Sequence, residues 1–325
     1  MFRSHCCSSC RPPPESSPPP TRSSLTLDEK QKQSALFAFD DEAQRARWSN
    51  FPTSFVPRGG LSLKELNAAQ RTAAMALVAA ALSPRGLEKI QQIMDGDELL
   101  KQGARDSAMF GKDLYYVSIL GTPSGKNPWM LQLGGHHLAL NLTIDGARGV
   151  LTPSHTAAQP ALYTLAGKTV RPLGQESDKA AVLFNALDEA QRAKAMLNYH
   201  ITDLILGPGK DGKTIQREGL KASALSEPQR ALLFDVIAEW SGIVNDSAGA
   251  ERLAEIKARI DDTWFAWSGP TTATVGSNIT AYYRIQGPKL VIEYAPQQMG
   301  GNPAMHVHTM YRDPTNDYGR SSAKK

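Results

Sequence analysis

Residues 305–319 read MHVHTMYRDPTNDYG. His306 and His308 stand two positions apart at the head of this run, and successive side chains of a strand point to opposite faces. Both imidazoles therefore share one face. Arg312, Asp313, Asn316, Asp317 and Tyr318 follow at once as a polar tail that favours turns. The period of two extends upstream. TWFAWSG (263–269), TAYYRIQ (280–286), KLVIEYA (289–295) and AMHVHTMYR (304–312) read as four strands, with Gly287-Pro288 as a tight hairpin turn.

A second block of strands lies nearer the start. LYYVSIL (114–120) and WMLQL (129–133) are its first two strands. Gly134-Gly135 then offers a place to bend, or to let another part of the chain come close. After the glycines, Leu138, Leu140 and Leu142 alternate with His137, Ala139, Asn141 and Thr143. The leucine face is core and the other is polar. A further strand fits 148–152.

Helical periods surround these blocks, at 27–38, 65–82 and 84–95, then at 177–198 with a restart near Asp188, 226–241 and 247–260. A start device recurs in LDEKQK at Leu27, LNAAQR at Leu66, LDEAQR at Leu187 and LSEPQR at Leu225. Asp28, Asn67, Asp188 and Ser226 can accept from the third helical N–H, and the following Gln can return to the cap's own N–H. The spacings are irregular, so the device reads as a repeated local solution and not a solenoid. Ser83-Pro84 is a further helix start. RWSNFPTSFVPRGG (47–60) reads as an irregular ordered loop with buried aromatics. The order helices, strands, helices, strands predicts an α+β fold with a largely antiparallel sheet and helices packed on one side. One large domain is expected over 25–325, after a Pro/Ser-rich, disordered segment at 1–24.

Composition narrows the function. The chain has 325 residues, 41% apolar and 21% charged, with a net charge of +4 and its Lys and Arg scattered among acids. This is the balance of a soluble globular protein, and no basic stripe points to nucleic acid. No apolar run reaches the roughly 18 residues of a membrane span. All three cysteines fall in the first ten residues, so thiolates and disulfides are not expected to serve the body. The start lacks the apolar centre of a signal peptide, which predicts either a cytoplasmic protein or a different natural start.

Four of the seven histidines form two tight groups, His136-His137 and His306/His308. Neutral imidazoles and carboxylates bind zinc, copper or iron. The expected ligands are His306, His308 and His137, with Glu293 of VIEYA, or His136, completing the set. His136 is otherwise an acid–base candidate. Asp313 and Asp317 are candidates for orienting a histidine or moving a proton, against the plainer reading that they cap a turn. Arg312, and more weakly Arg284, could clamp a substrate anion, and Asn141 and Tyr318 are further substrate-binding candidates. Histidine acid–base chemistry without a metal, and a purely structural role, remain open. The expected function is a metal-dependent hydrolase or oxidoreductase acting on a small organic substrate. The alternative is a non-catalytic protein that binds a metal or small ligand in the same pocket. GPGKDGKT (207–214) matches the phosphate-loop string, but no amphipathic helix follows it, so it reads as a surface loop. His155 and His200 are solitary and read as structural, although His155 could face the site because it follows the strand region carrying His137.

GGHHLALNLTIDG, ILGPGKDGKTI with EGL, FAWSG, YYRIQGPKLVIEY and HVHTMYRDPTNDYG, in that order, resemble the family called DUF3500. The likeness runs from about Leu27 to Gly319. It implies that the phosphate-loop string is a loop of that family, and that export is to be considered, since members often carry export signals. It brings no settled activity. The family's approach to the HxH pair is rich in Asn and Asp, whereas this chain has PQQMGGNPAM, so the rim of the site is expected to differ.

Overall fold

A computed structural model describes residues 27–299 and 301–321. The expectation of disorder at 1–24, and the three cysteines, lie outside the described residues. The helices are α1 (Glu29–Ala35), α2 (Glu42–Arg45), α3 (Ala68–Ala81), α4 (Pro84–Gly103), α5 (Gly174–Asn185), α6 (Glu189–Ala195), α7 (Glu227–Ser241) and α8 (Asp246–Lys257). The first strands are β1 (Leu36–Phe37), β2 (Leu61–Ser62), β3 (Tyr116–Leu120), β4 (Trp129–Gly135), β5 (Leu138–Asp145), β6 (Arg148–Val150) and β7 (Ser154–Ala158). They are followed by β8 (Tyr163–Leu165), β9 (Lys168–Val170), β10 (Leu220–Lys221), β11 (Trp264–Ser268), β12 (Tyr282–Gln286), β13 (Val291–Pro296) and β14 (Val307–Arg312). Among the described residues no helix is long and apolar enough to cross a membrane.

One sheet runs in the order β1-β3-β4-β5-β7-β14-β13-β12-β11-β10, with β2 on β3 and β6 on β5. Every pairing in it is antiparallel except β1 with β3. The fold is α+β, as the order of elements predicts. The strand SHTAA (β7) escapes sequence reading because it is short and small-residued, with no apolar alternation. Yet it joins the two strand blocks, pairing β5 on one side and β14 on the other.

The two faces of the sheet differ. Leu131, Leu133, Leu138, Leu140 and Leu142 pack under α3 and α4. Tyr283, Ile285, Ile292, Tyr294, Val307 and Tyr311 pack under α5 and α7. Alternation then sends Met130, Ala139, His308 and Met310 to the opposite side. Loops and turns cover that side, with Trp48 and Tyr318 closing over Ala139 and Met310. An expectation fails in this cover. Trp48 is buried, but Phe51 and Phe55 of the same loop are exposed.

The recurring helix starts are capping boxes at Asp28/Gln31, Asn67/Gln70, Asp188/Gln191 and Ser226/Gln229. The structure adds what spacing alone conceals. The four come in two cross-linked pairs, because the amides of Gln31 and Gln70 bond to each other and those of Gln191 and Gln229 do the same. Around each pair the chain repeats R-x-G-L-x4-L-x3-Q-R, at 58–71 and 217–230. Gly60 (φ 106) and Gly219 (φ 95) occupy matching positions, each pressed on a strand where a Cβ would strike the carbonyl of Val117 or Phe265. The element order β2-α3-α4-β3-β4-β5 recurs as β10-α7-α8-β11-β12-β13, each strand pairing the next, so the described residues form two similar halves. They meet where Thr156 of β7 lies opposite Thr309 of β14, their hydroxyls 2.8 Å apart.

Candidate metal centre

The centre sits at this seam. His308 lies near the start of β14 and His306 immediately precedes that strand, with His308 on the loop-covered face. His136 and His137 are not strand residues. They form the two-residue turn of the β4–β5 hairpin, in which Gly135 pairs with Leu138. His137 has φ 61, a conformation that L-residues other than Asn, Asp and His rarely adopt. Several contacts hold it there. The His137 N–H donates to Asn50 O and its carbonyl accepts from Ala157 N–H. Arg58 donates to Ser49 O and Gly135 O, tying the Trp48–Arg58 loop to the turn. Tyr115 packs where a Cβ on Gly135 would stand, so only glycine fits before the turn.

The result is a triangle of nitrogens. His306 Nε2 is 3.1 Å from His137 Nε2 and 3.1 Å from His308 Nε2. One ring nitrogen from each of the three lies within 4.8 Å of the others, and all three residues are buried. Nitrogens bonded at about 2.0–2.1 Å to one tetrahedral ion would stand roughly 3.3 Å apart, so the triangle has ligand dimensions. The outer nitrogens are held as ligand histidines require. His306 Nδ1 is 3.1 Å from the Met299 carbonyl, which can only accept. His308 Nδ1 is 3.1 Å from Asp203 Oδ1. Each Nδ1 therefore carries a proton, and in the neutral ring Nε2 is a bare lone pair aimed inward. No proton then stands between His306 and His308, whose lone pairs repel unless a cation is shared.

Electrostatics favour the neutral ring at His137 and His306. Burial, then the neighbouring histidines, pull His137 well below its ordinary value. Burial, then His308, lower His306 to about 4. Burial raises the Asp203 carboxyl, but hydrogen bonding and attraction to His308, with bonds from Leu204 N–H and Gln297, outweigh it and lower the pKa. Three histidines here could hold a metal ion.

His136 lies beside the triangle and outside it. Its ring stacks on His137 at 3.6 Å, and Nδ1 is 2.6 Å from Asp97 Oδ1 of α4. Glu293 does not join the ligands. Its carboxylate accepts from the N–H groups of Ile205 and Leu206 and from the Tyr282 hydroxyl, so it pins the 203–207 loop to the sheet.

The polar tail is likewise turned to structure. Arg312 donates to Leu206 O, Gly207 O, Asp211 and Asp317, which leaves no fork for a substrate anion. Asp317 also takes the Asp313 N–H. Asp313 accepts from the Thr315 N–H and hydroxyl and pairs with Arg252. Tyr318 bonds to Asp211 and accepts from Trp48 Nε1. Asn141 is held between Gln132 and the Pro153 carbonyl. Arg284 is buried against Glu218. The plainer reading of the tail, turn chemistry, describes these contacts. The Gly207–Thr214 string is the loop that Arg312 ties down, and residues 213–218 form no helix to hold a phosphate.

Nothing in the spacing of Asp203, Asp97 or Arg58 marks them in the sequence as partners of the site. His155, structural on the plainer reading, does approach the site. It is fully buried on β7, edge-on to His308 at 5.6 Å and stacked on Trp48 at 6.5 Å, and among the described residues neither ring nitrogen has a partner in hydrogen-bond geometry.

By fold and site this is an α+β protein with a three-histidine candidate metal centre between two similar halves. The chain belongs to the DUF3500 family, described as proteins of unknown function, whose profile matches residues 21–320. No curated protein and no solved structure matches it.

Proposed function

We propose that this protein is a metal-dependent enzyme, a hydrolase or oxidoreductase acting on a small organic substrate at a mononuclear transition-metal centre. His137, His306 and His308 are its ligands. The observation that carries the reading is the triangle of inward Nε2 atoms, 3.1 Å on two sides, with outer nitrogens fixed by Asp203 and the Met299 carbonyl. Three imidazoles leave a coordination position open, which separates catalytic from closed structural sites. A metal bound there would supply Lewis acidity or a water activated at neutral pH. The chain's own residues orient the ligands. Asp203 holds His308, Arg58 and Asn50 hold the turn that carries His137, and Asp97 holds His136 flat against His137.

The test is metal analysis of purified protein after reconstitution with zinc, copper, iron or cobalt, alongside His306→Ala. The reading expects about one equivalent of one metal in the native chain and a sharp loss in the variant. Equal content in both, or less than about a tenth of an equivalent of each metal, would overturn it. With the metal identified, turnover in a hydrolase and oxidase screen separates an enzyme from a metal-binding protein.

A further inference from the structure

A cavity of about 320 Å³ opens against His306. Its walls are Leu99 and Leu100 near the end of α4, Pro160, and Met299 and Met305 on the approach to β14. Gln159 and Asn302 are its polar side chains besides His306, and no lining residue is charged. The volume is that of a small-molecule site, and one wall is a member of the histidine triangle.

We propose that this cavity is the substrate pocket of the histidine centre, and that it takes an uncharged, largely apolar molecule. This rests on the reading of the triangle as a metal site. The charge argument stands apart from it. A charge placed at the α4 end of the cavity, away from the histidines, would lose hydration and meet no opposite charge among the lining residues, a cost that buried sites offset only with a partner. An apolar body of aromatic size gains from leaving water against Leu99, Leu100 and Pro160. The methionines suit such a guest, since their unbranched thioethers fit themselves to aromatic edges. The inner wall is preformed. Ala161 N–H donates to Met305 O, and the Asn278 amide spans Ala161 O and Ala304 O. Met299, at 75% exposure, forms the outer lip. A guest lying in the cavity has one end against the His306 imidazole, so its polar or reactive group belongs at that end and its apolar body toward α4.

Two measurements test this and separate its failure from that of the metal reading. The first uses metal-free protein and the neutral fluorophore N-phenyl-1-naphthylamine beside its anionic relative 8-anilinonaphthalene-1-sulfonate. The neutral probe should bind at least about tenfold more tightly. Leu100→Glu, or the nearly isosteric Gln159→Glu if the first variant misfolds, should weaken it by a similar factor. Equal affinity for the two probes, or no effect of either substitution, overturns the pocket whatever the metal result. The second uses cobalt-loaded protein and follows the visible spectrum during titration with 4-phenylimidazole, imidazole and 4-(imidazol-4-yl)benzoate. The phenyl compound should perturb the spectrum at concentrations at least about tenfold below the other two. If the neutral fluorophore binds but cobalt does not, the metal reading fails and with it the assignment of the cavity to a metal centre. If cobalt binds and the three imidazoles act alike, the pocket assignment alone fails.

Discussion

His137 and His306 stand 169 positions apart in the chain, and their Nε2 atoms lie 3.1 Å apart across the seam between the two halves. Each half therefore contributes to the centre, and neither alone holds three ligands. His137→Ala, His306→Ala and His308→Ala should each lower metal affinity by more than about 100-fold, beyond what an outer-shell change produces. Competition with a chromophoric chelator measures this. A His137→Ala protein that bound metal as the native chain does would detach the first half from the centre.

Asp203 is the partner that aims His308, and it is about half exposed. Little of the core depends on it. Asp203→Ala should leave thermal stability nearly unchanged and lower metal affinity by about 10–100-fold, the range for removing a carboxylate behind a ligating histidine. Asp203→Asn can still accept a hydrogen bond and should recover part of the loss. Were Asp203→Ala to cost stability and spare affinity, the carboxylate would be a loop fastener only.

The depressed histidines set an acid limit on the metal-free protein. His306 is held at about 4, and His137 well below its ordinary value. In the unfolded chain both return to about 6.5. Between these values the unfolded state binds more protons than the folded one, so stability rises with pH there. Their contribution is complete above about pH 6.5 and is lost as pH falls toward 4, amounting to about 3 kcal/mol for His306. Urea midpoints across this range should fall on the acid side, and His306→Asn should flatten the slope. A slope unchanged in that variant would remove His306 as its source.

Much of the fold was legible because its signals are local. Alternation identified the strands flanking Leu138 and Tyr283, and the cap-plus-glutamine device located four helix starts. The pairing of Gln31 with Gln70 and of Gln191 with Gln229 was not legible, because it depends on which helices meet. Of the site, the two histidine groups stand out through bare clustering. His137 reads as strand in the sequence but stands in a turn, since Gly-Gly and His-His together give no alternation that distinguishes the two. Glu293 shows the limit most clearly. It has the right chemistry and lies on the right face, two residues from the strand position opposite His308, but its carboxylate is consumed by Ile205, Leu206 and Tyr282. A buried carboxylate looks the same in sequence whether it binds a metal or two backbone amides.

Arg312 gives the sharpest contrast between a substrate clamp and a structural tie. Its guanidinium is buried, bonded to two backbone carbonyls and to both Asp211 and Asp317, and it lies over the Trp48 ring at 5.6 Å. Asp317 is largely shielded as well, and burial raises its pKa against the pull of Arg312. Arg312→Met keeps much of the side chain's volume and removes the charge, stranding Asp317 and freeing the Leu206 and Gly207 carbonyls. Breaking a buried pair from one side costs about 3–5 kcal/mol, so the variant should unfold at clearly lower denaturant. Loss of the tie also loosens the 203–207 loop that carries Asp203, so metal affinity should fall with stability. A substrate clamp would behave differently, raising KM while stability and metal content stayed as in the native protein, and that pattern would return Arg312 to the binding site.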